Sequence, residues 1–233
     1  MSLASPVSGS LEGVHIVPSI ASADQTRLAE VVLELEKCGA EALHIDIEDG
    51  NFVPNITFGL KTVMHLRRVT RLPFCVHLMV TNPLRYVDEL AQIGVMRIAF
   101  HIESAPYPLE VLNRIRDHGV SCGVAFNPST PVEPAGYVLE KADYVLIMTA
   151  EPDGRGQEFI PRMVEKVHRV SQMLARSPAS PAQGARYVMV DGGVGWDEVP
   201  LVAGAGAKHV VMGRAIFAGG NVVLRPPSEH AGG

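Results

Sequence analysis

The sequence has little that would tie it to nucleic acid, a membrane or a disulfide framework. Its 233 residues include only three cysteines, Cys38, Cys75 and Cys122, widely spaced and without a CxxC pair. That excludes a cystine-stapled scaffold and points to a reducing, cytoplasmic setting. No basic run or basic–aromatic stripe occurs and the formal charge is −5, so no nucleic-acid partner is expected. No apolar run approaches the ~18 residues of a membrane span, so no membrane partner is expected either. The opening "MSLASPVSGSLEGV" has no basic region followed by a long apolar core. It reads as a flexible tail over 1–13 rather than a signal peptide. No apolar run leads into a GxGxxG turn, which disfavours a doubly wound, dinucleotide-binding sheet.

What is present is a globular composition, 47% hydrophobic with 22 glycines, at a mean hydropathy of +0.16. It suits a single large α/β domain. Short apolar runs at 14–19, 42–47, 74–79, 97–102, 121–126, 143–148, 187–191 and 209–213 read as strands. Amphipathic segments at 23–38, 59–69, 83–93, 107–118, 132–141, 161–176 and 197–204 read as helices between them. Eight strands alternating with helices predict a (β/α)8 TIM barrel over 14–217. The Pro/Ser-rich stretch 175–186 reads as a loop from helix to strand, on the face of the barrel away from chemistry. The end, "AGGNVVLRPPSEHAGG" (218–233), carries too many glycines and prolines for an ordinary eighth helix. An irregular tail is expected there, with the last helix shortened or absent.

Active sites of such barrels collect at the C-terminal ends of the strands. In "ALHIDIEDGNFVPN" (42–55) His44, Asp46 and Glu48 alternate with Leu43, Ile45 and Ile47, so three polar side chains share one face. Burying them without partners would cost on the order of 2–7 kcal/mol per polar group and more for a charge. The third strand adds His77 and the seventh Asp191 at corresponding ends. A lone strand histidine is commonly a satisfied core residue. Two imidazoles and two carboxylates converging on one barrel mouth instead make a divalent transition-metal site.

The segments "VPSIASAD", "HIDIEDGNFVPNITFG", "CVHLMV", "GVAFNPSTP", "VDGGV" and "MGRAIF", in that order, resemble the ribulose-phosphate 3-epimerase family. The resemblance runs from about residue 14 to 217. It implies a barrel enzyme, a metal-dependent isomerase that inverts C3 of a phosphorylated ketose. It also implies ligation of one divalent ion per chain, Zn²⁺ or Fe²⁺ with Mn²⁺ or Co²⁺ as substitutes, by His44, Asp46, His77 and Asp191. Asp46 and Asp191 would double as the acid–base pair. Ser19, His77, Met79 and Met148 would hold the sugar, and Gly192, Gly193, Gly213 and Arg214 the phosphate. Gly154 and Gly156, in the loop after the sixth strand, join the substrate-binding set. The expected partner is a small sugar phosphate, and the expected assembly a homo-oligomer.

The chain departs from the family pattern at four places. Glu48 replaces a methionine, Cys75 an aspartate, and Arg214 a serine. The loop "TAEPDGRGQEF" (149–159) brings Glu151, Asp153 and Arg155 into a segment that in the family resembles "VNPGFGGQ". Glu48, Cys75, Asp153 and Arg155 are therefore candidates for specificity. Glu48 has three possible partners: a substrate hydroxyl, Arg155 or Arg214. Two other functions compete: a phosphate-barrel lyase or decarboxylase, and a degenerate sugar-phosphate binding protein. The DxKxxD run of the lyases is missing.

Overall fold

The computed structural model describes residues 13–154, 156–176, 186–217 and 222–224. Of the expectations for the segments 1–13, 175–186 and 218–233, all but the parts at 13, 175–176, 186 and 222–224 lie outside the described residues.

Eight strands form one parallel sheet: β1 (His15–Pro18), β2 (Leu43–Glu48), β3 (Phe74–Met79), β4 (Arg97–His101), β5 (Ser121–Phe126), β6 (Tyr144–Met148), β7 (Tyr187–Asp191) and β8 (Ala207–Met212). Their order is β1-β8-β7-β6-β5-β4-β3-β2, and a parallel bridge between Ser19 and His44 brings the two end strands together. The result is the (β/α)8 barrel. Every residue of β2, β3 and β6 is buried, as required of strands covered on both faces. Ile45, Ile47, Val76, Leu78, Val145 and Ile147 point outward into the layer shared with the helices. Ala99, Ala125, Tyr144, Leu146, Met189 and Val211 fill the inside. The period of two thus separates two cores, and polar residues on the inner face can meet only one another.

Helices α1 (Leu28–Lys37), α2 (Leu60–Arg67), α3 (Leu84–Ile93), α4 (Pro108–Asp117), α5 (Gly136–Leu139), α6 (Met163–Arg176) and α7 (Val199–Gly204) lie between the strands. In α3, Val87 and Leu90 bury one face, and Gly94 ends the helix at φ 85°. Two of the predicted helices are shorter than expected. The first begins with a 3₁₀ turn, Gln25–Arg27, capped by Asp24. In the fifth, Pro134 and Gly136 leave only a 3₁₀ turn, Glu133–Ala135, followed by the single turn of α5. After β8 the chain turns through Gly213–Phe217, and among the described residues no eighth helix follows. Cys38, Cys75 and Cys122 are all free thiols. Among the described residues no helix is long and apolar enough to cross a membrane.

Candidate active site and metal centre

Strand register sets the site. Asp46 pairs with His77 across β2 and β3, and Met148 with Asp191 across β6 and β7. The end of β2 is held by Thr57, whose hydroxyl donates to the Asp46 carbonyl at 2.5 Å and accepts from the Glu48 N–H at 3.2 Å. Next to it, Asp49 accepts from the backbone of Asn51, Phe52 and Thr81 and from the Thr81 hydroxyl. These bonds tie the loop after β2 to the loop after β3, and they hold the Asp49 carboxyl at about 2 against the effect of burial.

His44, Asp46, His77 and Asp191 each offer one ligand atom, all within 4.8 Å of one another. His44 Nε2 lies 3.1 Å from Asp46 Oδ1 and 3.3 Å from Asp191 Oδ2. His77 Nδ1 lies 3.3 Å and 3.2 Å from the same two oxygens. The histidines and Asp46 are buried. His44 Nε2 and Asp46 Oδ1 nevertheless make no hydrogen bond: they are close without being aligned. Buried polar atoms left in this way are costly, and a cation between the four groups would satisfy them all at once. Two nitrogen and two oxygen donors fit a divalent transition metal.

The charges lead to the same arrangement. Burial works to raise the Asp46 pKa, but the flanking His44 and His77 outweigh it and hold the carboxyl below its usual range. Asp191 is also lowered, though both burial and the charge of Asp46 oppose it. Burial works against protonation of the two imidazoles, yet the carboxylates raise both. Proton and metal therefore compete for the same nitrogens.

Ser19, Asp46, Glu48, Met79, Met148 and Asp191 line a cavity of about 220 Å³. Its other wall comes from Gly192, Gly193, Val194 and Gly195 after β7, and from Gly213, Arg214 and Ala215 after β8. Ser19 also donates to Asp46 Oδ2 at 2.6 Å, fixing that carboxylate. At Gly193, φ is 70° and a Cβ would lie 2.4 Å from the Gln157 carbonyl and the Phe159 nitrogen. Only glycine lets these two loops close against each other.

Not all of the specificity and substrate candidates reach this cavity. Cys75 does not: two residues before His77 on β3, it lies deeper in the barrel, against Val17 and Ala42 and 3.4 Å from Arg97. Gly154 packs on Asn55, where a Cβ would come 2.7 Å from the amide oxygen, and neither it nor Gly156 lines the cavity. Asp153 is exposed and away from the lining, and Arg155 lies outside the described residues. Glu48 does face the cavity, buried, with its Oε2 lacking a hydrogen bond. Burial, and then the charge of Asp46, raises its carboxyl to about 7. Arg214 does not pair with it but donates to the Gln157 carbonyl at 2.8 Å.

Sequence reasoning missed two residues. His101, fully buried at the end of β4, places Nε2 2.9 Å from His77 Nε2, and Glu103 lies 3.1 Å from the other nitrogen of His101. The signal was available: Arg97, Ala99 and His101 follow the same alternation that singles out His44 and Asp46.

A sequence model described as the Ribulose-phosphate 3 epimerase family matches residues 15–217. The chain is 39% identical over 204 residues to a ribulose-phosphate 3-epimerase of Bacillus subtilis, covering 88% of this chain and 92% of that protein. It is 38% identical to one of Methanocaldococcus jannaschii, covering 88% and 84% respectively. Among solved structures, a mutant (E103A) tryptophan synthase α-subunit from Pyrococcus furiosus superposes with a TM-score of 0.64. That match, at 19% identity and covering 88% of each chain, supports the fold alone. With the barrel, the clustered His and Asp side chains and these matches together, the chain belongs to the ribulose-phosphate 3-epimerase family, whose members are isomerases of the carbohydrate-epimerase type.

Proposed function

We propose that the protein inverts C3 of a phosphorylated ketose, using Asp46 and Asp191 as the two proton-transfer groups. The observation that carries this reading is the pair of carboxylates meeting two imidazoles at the floor of a cavity whose far wall is glycine-rich. Inversion beside a ketone removes a proton on one face and returns one on the other, through an enediolate. Two carboxylates suffice if one starts ionised and the other protonated, exchanging roles at each turnover. The charge of Asp46 opposes ionisation of Asp191, while the flanking His44 and His77 lower both carboxyls on balance. Ser19 holds Asp46 in place for this exchange.

His44, Asp46, His77 and Asp191 would hold a divalent ion. When bound, it supplies Lewis acidity that stabilises negative charge developing on the substrate oxygens. Met79 and Met148 give the sugar an apolar wall, and the Gly192-Gly193 and Gly213-Arg214 turns give the phosphate its place. Glu48, buried with an unpartnered oxygen, favours a ketose phosphate bearing a hydroxyl it can bond, such as a pentulose, hexulose or heptulose phosphate other than ribulose 5-phosphate.

Turnover of a panel of ketose phosphates in D₂O tests the reading. Solvent deuterium should appear at C3 of the preferred substrate. Epimerisation without label at C3 would refute the two-carboxylate route, and highest kcat/KM on ribulose 5-phosphate would refute the role given to Glu48.

A further inference from the structure

His77 belongs to a longer chain of hydrogen-bonded groups that runs from the buried interior to the surface. Its Nδ1 faces Asp46 and Asp191, while its Nε2 meets Nε2 of His101 at 2.9 Å. The two rings are stacked, with centroids 4.9 Å apart and planes 21° apart. His101 Nδ1 then meets Glu103 Oε2 at 3.1 Å. The other oxygen of Glu103 accepts from the Asn127 N–H at 2.8 Å and the Thr130 hydroxyl at 2.5 Å. Phe52 closes the chain from above, its ring 4.8 Å from that of His101.

Proton placement along this chain follows from what each atom can do. An ionised carboxylate only accepts, so the proton between Glu103 and His101 sits on His101 Nδ1. Burial opposes ionisation of Glu103, but His101, Thr130 and Asn127 outweigh it and lower the carboxyl to about 2. With its Nδ1 proton held by Glu103, the His101 imidazole offers Nε2 as its acceptor. Two nitrogens 2.9 Å apart need one proton between them, and His77 Nε2 must supply it. His77 Nδ1 is then the nitrogen left to exchange a proton for a metal ion.

We propose that Glu103 and His101 are positioning residues that fix His77 as its Nε2–H tautomer and present Nδ1 toward Asp46 and Asp191 as a metal ligand. This rests on the metal-binding reading given above. The relay gives His77 a second anchor that His44 lacks, since His44 Nδ1 is buried without a hydrogen bond.

The test uses the full chain, uniformly ¹⁵N-labelled, with zinc as the probe. Long-range ¹H–¹⁵N spectra of the zinc-loaded protein should show His101 protonated at Nδ1 and bare at Nε2. His101→Phe, which keeps a ring against Phe52, and Glu103→Ala should each weaken zinc binding by about 10–100-fold. The relay is overturned if His101 carries its proton on Nε2, or if both His101→Phe and Glu103→Ala bind zinc as tightly as the parent. Should the parent take up no divalent ion, the metal reading fails by itself. The spectrum of the metal-free protein then decides the relay, which requires a proton on His77 Nε2 and on His101 Nδ1. If His101→Phe does not fold, the spectrum and Glu103→Ala still decide.

Discussion

The two ends of this barrel are both polar inside, and they are built on opposite plans. At the C-terminal ends of the strands, His44 and His77 face Asp46 and Asp191, with Glu48 beside them at the cavity. Toward the N-terminal ends, His209 stacks between His15 and Tyr187, and Tyr187 lies parallel to Tyr144 with ring centroids 5.3 Å apart. Arg97 sits over Tyr187 and donates to Cys75. Both ends contain buried polar atoms without hydrogen bonds, such as Asp46 Oδ1 above and the Tyr187 hydroxyl below. At the upper end such atoms come as acids and bases converging on open volume. At the lower end they are wedged among rings. A polar barrel interior therefore does not mark a site; charges that converge on a space do.

The sharpest way to break this comparison is Asp191→Asn. Loss of the carboxylate should lower kcat by about 10²–10⁴-fold while the fold survives, as measured by steady-state kinetics alongside a thermal melt and metal content. A variant that melted early yet kept its activity would make the upper cluster structural and erase the contrast.

At the other end, Gly123→Ala should act on stability alone. A Cβ there would meet the buried Tyr144 ring at 2.3 Å. Overpacking of this kind costs about 1–3 kcal/mol, readable by denaturant unfolding. A fall in kcat without a change in stability would show the two ends to be coupled.

Glu48→Met probes the boundary between chemistry and recognition. It should shift kcat/KM toward ribulose 5-phosphate, relative to the preferred substrate, by about 10-fold or more. An unchanged ratio would remove Glu48 from substrate recognition.

The smallest expected effect lies with His209. Burial, then the charges of Arg97 and His15, lower its pKa from 6.5 to about 3. The unfolded chain takes up a proton below pH 6.5 that the folded protein refuses until about pH 3. Stability should therefore fall as pH drops through that window. His209→Gln should flatten the fall by on the order of 1 kcal/mol after solvent screening, checked by urea unfolding from pH 7 to 4. An identical pH profile in the variant would show that burial and the charges of Arg97 and His15 do not keep the imidazole neutral.

Strand-by-strand alternation was legible from the chain alone, because a parallel barrel writes its two faces into every second residue. It identified His44, Asp46, His77 and Asp191 before any contact was known. Loop residues were harder to place. Gly154 reads as a substrate-binding glycine, yet it packs on Asn55, a residue about 100 positions earlier in the chain. Cys75 shares the face of His77 and differs only in depth, which a period of two does not encode.

The sequence by itself determined the barrel, the inward face of each strand and the four side chains that could hold a metal ion, since local periodicity and residue chemistry act without knowledge of distant partners. Tertiary structure alone decided which polar residues share a height in the barrel. It brought His101 from β4 against His77 from β3, left Glu48 facing the cavity without a partner, and turned Arg214 to the Gln157 carbonyl. The physical reason is that height is set by the stagger of hydrogen-bonded strands around the closed sheet, a property of their pairing that no single segment carries.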